Sequence, residues 1–508
     1  MNPDLIQTCG DRHLDYLHDE SRLNGKAGTI AFPGDEGEVC EVVSAVAREG
    51  GSITVQGART GVAGGAVPAG GCVLNLSRLN RMDASLLDQG ILKVQPGVCL
   101  ADLRVVALEK GMLFPPDPTE TTASIGGMVA TNASGAMSFF YGPTRQWIEA
   151  LRVVLADGSV LALRRGECQA VGRRFSLLAE SGHEIRGLLP GYVLPPVKSA
   201  AGYYAAEGMD LIDLFIGMEG TLGIITEAQL RLIPQPAAVG GLTLFLPSGA
   251  AALAFTRLAR GETVNGRSGL AVRPVAIEYF NHDTLNLLRR MKAEGRGAEA
   301  VPSLPSRYHT AIYLEFHGAD GDAVEKAAVA ALEAAVAVGG SDEDSWYATT
   351  PHDLETQKAF RHAVPESVNA LIGERQKTER GITKLGTDMS VPDAALEPVM
   401  AMYEADLASA GLESVIFGHI GNNHVHVNIL PRTMAEYDCG KALYQAWARR
   451  VVVMGGSVSA EHGIGKLKTP LLALMFGEAG IAQMRAVKRV FDPMNVLNPG
   501  VLFERTSS

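Results

Sequence analysis

A chain of 508 residues exceeds what a single hydrophobic core ordinarily organises, so two or three domains are expected. Its 45 basic and 56 acidic residues leave a net charge of −11 without long runs of either sign, which argues against nucleic acid or an anionic membrane surface as the main partner. The six cysteines (Cys9, Cys40, Cys72, Cys99, Cys168 and Cys439) form no C-x-x-C, which leaves no zinc ribbon or iron–sulfur motif and suits a reducing compartment. Met1-Asn2-Pro3-Asp4 opens no basic-then-apolar leader, and no apolar run is long enough to cross a bilayer, so a cytoplasmic protein without a membrane span is expected.

In chain order, residues 1–28 read as a charged, helical lead-in. Strand Gly28–Phe32, helix Glu36–Glu49 and strand Ser52–Gln56 follow, the helix carrying Val39, Val42, Val43 and Val46 on one face. The run Gln56-Gly57-Ala58-Arg59-Thr60-Gly61-Val62-Ala63-Gly64-Gly65 then puts four glycines behind an apolar strand. Glycine lets backbone approach a ligand, and successive N–H groups can cradle phosphate oxygens. The run is neither G-x-G-x-x-G nor a P-loop, and a mechanical turn is its other reading. The rigid Pro115-Pro116-Asp117-Pro118 leads to a second cluster, Ser124-Ile125-Gly126-Gly127-Met128-Val129-Ala130-Thr131-Asn132-Ala133-Ser134-Gly135. Its small residues leave room for a flat or extended ligand that Ser124, Thr131 and Asn132 could hydrogen-bond, and Tyr141-Gly142 closes it. Trp147–Leu155 and Val160–Leu163, joined by Asp157-Gly158, read as a hairpin. A third cluster, Gly217-Met218-Glu219-Gly220-Thr221-Leu222-Gly223-Ile224-Ile225-Thr226, runs into a strand ending near Pro234.

A break follows near Pro234–Gly240. Beyond it Leu242–Leu246, Ala250–Leu258, Val275–Tyr279, Thr310–Phe316 and Asp322–Val338 alternate strand and helix, the pattern of an antiparallel sheet backed by helices. Phe417 to Asn428 reads F-G-H-I-G-N-N-H-V-H-V-N. From His424 polar and apolar residues alternate, so His424, His426 and Asn428 share one strand face, and a loop could turn His419 towards it. Neutral imidazole is the commonest metal ligand. Ser459-Ala460-Glu461-His462-Gly463-Ile464-Gly465-Lys466 adds a carboxylate and an imidazole, usable together only in an irregular loop, which the glycines favour. The spacing is not H-E-x-x-H. Read without a cofactor, the histidines are hydrogen-bonded strand residues or the core of a metal-dependent hydrolase.

The ordered set Q-G-A-R-T-G-x-x-G-G, S-I-G-G-M-V-A-T-N-A-S-G and G-M-E-G-T-L-G-I-I-T resembles the FAD-binding domain of the vanillyl-alcohol oxidase/p-cresol methylhydroxylase flavoproteins. F-G-H-I-G-N-N-H-V-H-V-N, A-E-H-G-I-G-K and the closing Phe491-Asp492-Pro493 and Leu497-Asn498-Pro499-Gly500 resemble one branch, the FAD-linked D-2-hydroxyacid dehydrogenases acting on D-lactate, glycolate or D-2-hydroxyglutarate. The resemblance runs from about residue 28 to 503. It implies an α+β protein: a two-lobed PCMH-type FAD-binding domain (1–237), an inserted antiparallel-sheet cap (238–455) and a C-terminal return completing the FAD domain and active site (456–508). FAD would be held noncovalently by Gln56, Gly57, Ala58, Arg59, Thr60, Gly61, Gly64 and Gly65, by Pro118, and by Ser124, Gly126, Gly127, Thr131, Asn132, Ser134 and Gly135. Tyr141, Glu219, Gly223, Ile224 and Asn498 would complete its site.

The same resemblance implies a divalent metal, zinc with Fe2+ or Mn2+ as alternatives, on His419, His426 and Glu461. His462 would be the general base, and Arg361 would hold the substrate carboxylate, with Asn428 as a further substrate contact. Relatives read G-H-x-G-D-G-N-L-H, whereas this chain carries Asn422, Asn423 and His424 in place of Asp, Gly and Asn; His424 is left as a substrate contact or an extra ligand. Relatives that favour dicarboxylates carry a lysine just before D-x-S-x-P, where this chain has Gly386-Thr387 before Asp388-Met389-Ser390-Val391-Pro392 and Lys384 two positions away. A small D-2-hydroxyacid, D-lactate first, is the expected substrate. Electrons would leave to an external acceptor, an electron-transferring flavoprotein, a quinone or a cytochrome. An electron-relay subunit is the rival reading, and a homodimer is a candidate assembly.

Overall fold

The structure, a computed structural model, describes residues 5–504. Its first layer is a four-stranded sheet in the order Ile6–Thr8, Thr29–Ala31, Cys72–Asn75, Ile53–Gln56. Only the first pair is antiparallel. Helix Glu36–Arg48 starts at Asp35, whose side chain caps the Glu38 amide, and buries Val39, Val42, Val43 and Val46 against this sheet. The lead-in is not the helix expected. Its first four residues lie outside the described residues, and the rest is strand Ile6–Thr8 and the 3-10 turn Asp11–Leu17. Pairing of Ile6–Thr8 with Thr29–Ala31 satisfies backbone groups that a solvated helix end would leave open, so tertiary pairing overrides local propensity.

The second lobe is a five-stranded antiparallel sheet, Met82–Asp83, Ile91–Val94, Ile224–Arg231, Ile148–Val154, Val160–Arg164. The expected hairpin is its last pair. The third sheet is antiparallel and has eight strands. Seven run in the order Ser345–Ala348, Ala238–Leu246, Thr310–Gly318, Ala276–Phe280, Ser414–Gly418, His424–Ile429, Leu385–Gly386, and Met389–Ser390 pairs with the histidine strand.

Alternation sorts the faces of this sheet. Ile312, Leu314, Phe316, Ile277, Val425 and Val427 pack on one side with helices Gly249–Ala259 and Gly321–Ala337. Ala311, Tyr313 and Phe280 pack on the other with helices His282–Ala293 and Pro351–Arg375. Side chains two apart share a face, so Glu278, Tyr313 and Glu315 share the second side with His424, His426 and Asn428.

Helix Thr469–Phe491, bent at Gly477, carries the chain back to the first lobe. Leu497 bridges Ile53, the Asn498 side chain accepts from the Val55 amide at 2.7 Å and donates to the Glu219 carbonyl at 2.8 Å. Lys488 donates to the Thr221 and Leu497 carbonyls. The return therefore ties the first and third glycine clusters together.

Candidate active site

The three glycine clusters line one cavity. Ala58 to Gly61, Gly65, Pro118, Ser124, Gly126, Gly127, Thr131, Ser134, Gly135, Glu219, Gly223, Ile224 and Asn498 all face it, and so do His419, His426, Glu461 and His462 at one end. Close approach explains two of the glycines. A Cβ on Gly135 would sit 1.7 Å from the Asp117 carbonyl oxygen, beside Pro118. One on Gly465 (φ +54°) would sit 2.0 Å from that of Ala63, so the Glu-His loop presses directly on the first glycine loop. Built Cβ atoms on Gly61 and Gly65, by contrast, meet nothing within 4 Å. A long cleft walled by backbone and small side chains fits an extended flat ligand such as FAD.

Four expected cofactor residues stand behind the wall instead of on it. Gln56 donates to the Tyr16 and Ala66 carbonyls, Gly64 packs on Leu23, Asn132 accepts from the Arg145 amide, and Tyr141 bonds His317 Nδ1 at 2.8 Å. They shape the loops. Glu219, in a left-handed turn at φ 53°, accepts the Ile464 and Gly465 amides at 2.7 Å each. Burial raises its carboxyl to about 7, although the two amides and Lys468 oppose the rise.

At the far end, His419, His424, His426 and Glu461 each bring a ligand atom to within 4.8 Å of the others. His419 sits in the turn before the strand, its Nδ1 2.7 Å from Glu278 Oε1 and its Nε2 3.3 Å from Glu461 Oε2. His426 Nδ1 donates to the Thr387 carbonyl at 2.9 Å, leaving Nε2 inward. Burial lowers the basicity of His424 to about 4 and also holds that of His426 well below the usual imidazole range. Burial would lower His419 too, but Glu278 and Glu461 outweigh it and raise it to about 9. Two imidazoles held neutral, and a third that would give up its proton to a bound cation, fit a divalent ion beside one carboxylate.

Asp388 organises the Glu-His loop. It is 1 % exposed, accepts the Glu461 and His462 amides at 3.1 and 3.0 Å, and takes Lys468 Nζ at 2.6 Å. This forces an irregular backbone, which is how adjacent Glu461 and His462 face one cavity. His462 Nδ1 lies 3.5 Å from Asp388 Oδ2 and its ring stacks on His426 at 5.6 Å. Ser134 donates to Glu461 at 2.9 Å and Lys198 pairs with the same oxygen.

Arg361, Asn428 and His424 do not line the cavity. Arg361, on helix Pro351–Arg375, has its guanidinium 5.0 Å from the Tyr313 ring centroid and an Nε without a partner. Asn428 is buried in the strand, opposite Gly386 and Val415. Sequence reading missed Glu278, Lys198 and the role of Asp388. Glu278 had a signal, a lone acid inside the apolar run Ala276–Phe280.

Comparisons with known proteins agree with this geometry. Residues 27–164 match the FAD binding domain family and 248–502 match the C-terminal domain of FAD linked oxidases. A D-2-hydroxyglutarate dehydrogenase of Xanthomonas citri is 32% identical over 94% of this chain and 89% of its own length. A D-lactate dehydrogenase of Anaerostipes hadrus is 30% identical over 98% and 94%. Among solved structures, 4-ethylphenol oxidase from Gulosibacter chungangensis superposes with a TM-score of 0.68 at 18% identity, covering 99% of this chain and 95% of that one. An alkyldihydroxyacetonephosphate synthase gives 0.67 at 16%, covering 98% and 82%. The fold and the cavity define an FAD-dependent oxidoreductase of the PCMH type. The chain belongs to the FAD-linked D-2-hydroxyacid dehydrogenase family.

Proposed function

We propose that the protein oxidises a small D-2-hydroxyacid, D-lactate first, to the 2-oxoacid, and passes the electrons to an external acceptor. The observation that carries this is the opening of the imidazole–carboxylate cluster and His462 onto the same cavity as the three glycine loops. FAD, when bound there, supplies the two-electron sink for the hydride on C2. A divalent ion, zinc or alternatively Fe2+ or Mn2+, would be held by His419, His426 and Glu461, and supplies polarisation of the 2-hydroxyl.

The protein's own groups do the rest. His462, with Nδ1 towards Asp388 and its ring on the cavity, takes the hydroxyl proton, a role worth roughly 100- to 10,000-fold. The Asp388 carboxylate fixes the loop and stabilises the imidazolium that results. Arg361 is the proposed partner of the substrate carboxylate: its buried Nε lacks a partner, although its side chain stands outside the cavity lining. Lys384 is engaged with Asn369 at 2.9 Å and does not stand immediately before Asp388, which favours a monocarboxylate over D-2-hydroxyglutarate. Glycolate is the next alternative.

We divide the chain at 1–237, 238–455 and 456–508, supported by the end of one sheet at Arg231 and the start of the next at Ala238. The cytoplasm is the proposed location, and among the described residues no helix is long and apolar enough to cross a membrane.

Steady-state turnover with a dye acceptor tests this reading. D-lactate should give a higher kcat/KM than glycolate or D-2-hydroxyglutarate, and a chelator should abolish turnover until metal is restored. Chelator-insensitive turnover would remove the metal, and a higher kcat/KM for D-2-hydroxyglutarate would remove the monocarboxylate preference.

A further inference from the structure

The His424 side chain is completely buried, and neither ring nitrogen makes a hydrogen bond. A buried polar group left unmet is costly, so something outside the protein atoms should meet it. A substrate in the cavity does not meet it, because His424 does not line the cavity, although it shares the strand face of His426 and its ring lies 4.5 Å from that one.

The neighbouring rings show what does. Each of the other two imidazoles has one nitrogen anchored by an acceptor and the other turned inward: His419 on Glu278, His426 on the Thr387 carbonyl. Such anchoring fixes the tautomer and the aim of a metal-ligating histidine. His424 has no such hydrogen-bonded anchor, but its ring is held between two carboxylates. Its Nε2 lies 3.2 Å from Asp388 Oδ1, out of line for a hydrogen bond, and its Nδ1 faces Glu461 Oε2 at 3.9 Å. That spacing is too long for a hydrogen bond but suits two donors sharing one ion, since ligand distances near 2 Å put neighbouring ligand atoms about 3–4 Å apart.

We propose that His424 is a fourth protein ligand, through Nδ1, in a site of three imidazoles and one carboxylate. The proposal rests on the metal reading above and extends it. It also restricts the ion. Four protein ligands on a tetrahedral ion would close the site, as in structural zinc centres. An ion that accepts six keeps two positions, the number needed by the hydroxyl and one carboxylate oxygen of a 2-hydroxyacid. An ion that readily becomes six-coordinate, such as Fe2+, Mn2+ or Co2+, therefore suits the site better than tetrahedral zinc.

The test uses the flavin-loaded protein, stripped with a chelator and reloaded with Co2+ alone. X-ray absorption of the bound ion counts imidazoles, and a titration gives the affinity. Three imidazoles are expected in the native protein and two in His424→Asn, with affinity at least about tenfold weaker, because loss of a ligand should cost no less than loss of its support. Two imidazoles in the native protein would overturn the fourth ligand and leave the metal reading standing. No Co2+ binding at all would overturn both. The native count decides without any variant, and His424→Gln replaces His424→Asn if the latter loses its flavin.

Discussion

His462 and Asp388 divide one task between two residues. Nδ1 towards the buried carboxylate leaves the remaining nitrogen of His462 for the substrate proton. His462→Ala should therefore keep its yellow colour while flavin reduction slows roughly 100- to 10,000-fold; stopped-flow absorbance checks this, and an unchanged rate would take the base role away. Arg361→Lys swaps a fork for a point charge. A hydrogen bond to a charged group is worth about 1.5–3 kcal/mol, so KM should rise roughly 10- to 150-fold with a smaller change in kcat. An unchanged KM would place Arg361 with Tyr313 in the cap core alone.

The elements meet through loops, and Gly465 marks the tightest meeting. Gly465→Ala would drive a methyl into the Ala63 carbonyl from a left-handed backbone, so it should cost about 1–3 kcal/mol and weaken FAD retention. Thermal unfolding and the flavin content of the purified variant measure both. A stable variant with full flavin would show that the two loops can part. Much of this was legible in the sequence. Period-two alternation put His424, His426 and Asn428 on one strand face, and the glycine clusters announced a cavity wall. Lys198 and Asp388 were not legible as parts of the site, because they reach Glu461 across 263 and 73 residues and no local pattern records such pairings. Gln56, Asn132 and Tyr141 sit in the right segments, but spacing alone does not distinguish a residue facing the ligand from one bracing the loop. The lead-in failed for a related reason: Ile6–Thr8 is a strand only because Thr29–Ala31 lies beside it.

At the scale of the whole molecule, the glycine lobe and the C-terminal return are locked around Glu219. Its carboxyl is raised by burial from the usual value of about 4.3 to about 7, so the native state holds a proton that the unfolded chain has released. The Glu219 contribution to stability should accordingly fall as pH rises from about 4.5 to 7 and level off above, by on the order of 3 kcal/mol, while His424 and His426, whose basicity is lowered by burial, contribute with the opposite sign. Unfolding of flavin-free protein across that range should show the wild type losing stability relative to Glu219→Gln as pH rises from about 4.5 to 7; equal pH slopes in the two would assign no such effect to Glu219. The site as a whole answers to one measurement first. Flavin-loaded, metal-replete protein is mixed anaerobically with D-lactate or L-lactate while the flavin band near ~450 nm is followed. Bleaching by D-lactate with L-lactate silent is the expected result. A yellow, metal-replete protein that neither D-lactate nor any other D-2-hydroxyacid bleaches would contradict the proposed oxidation.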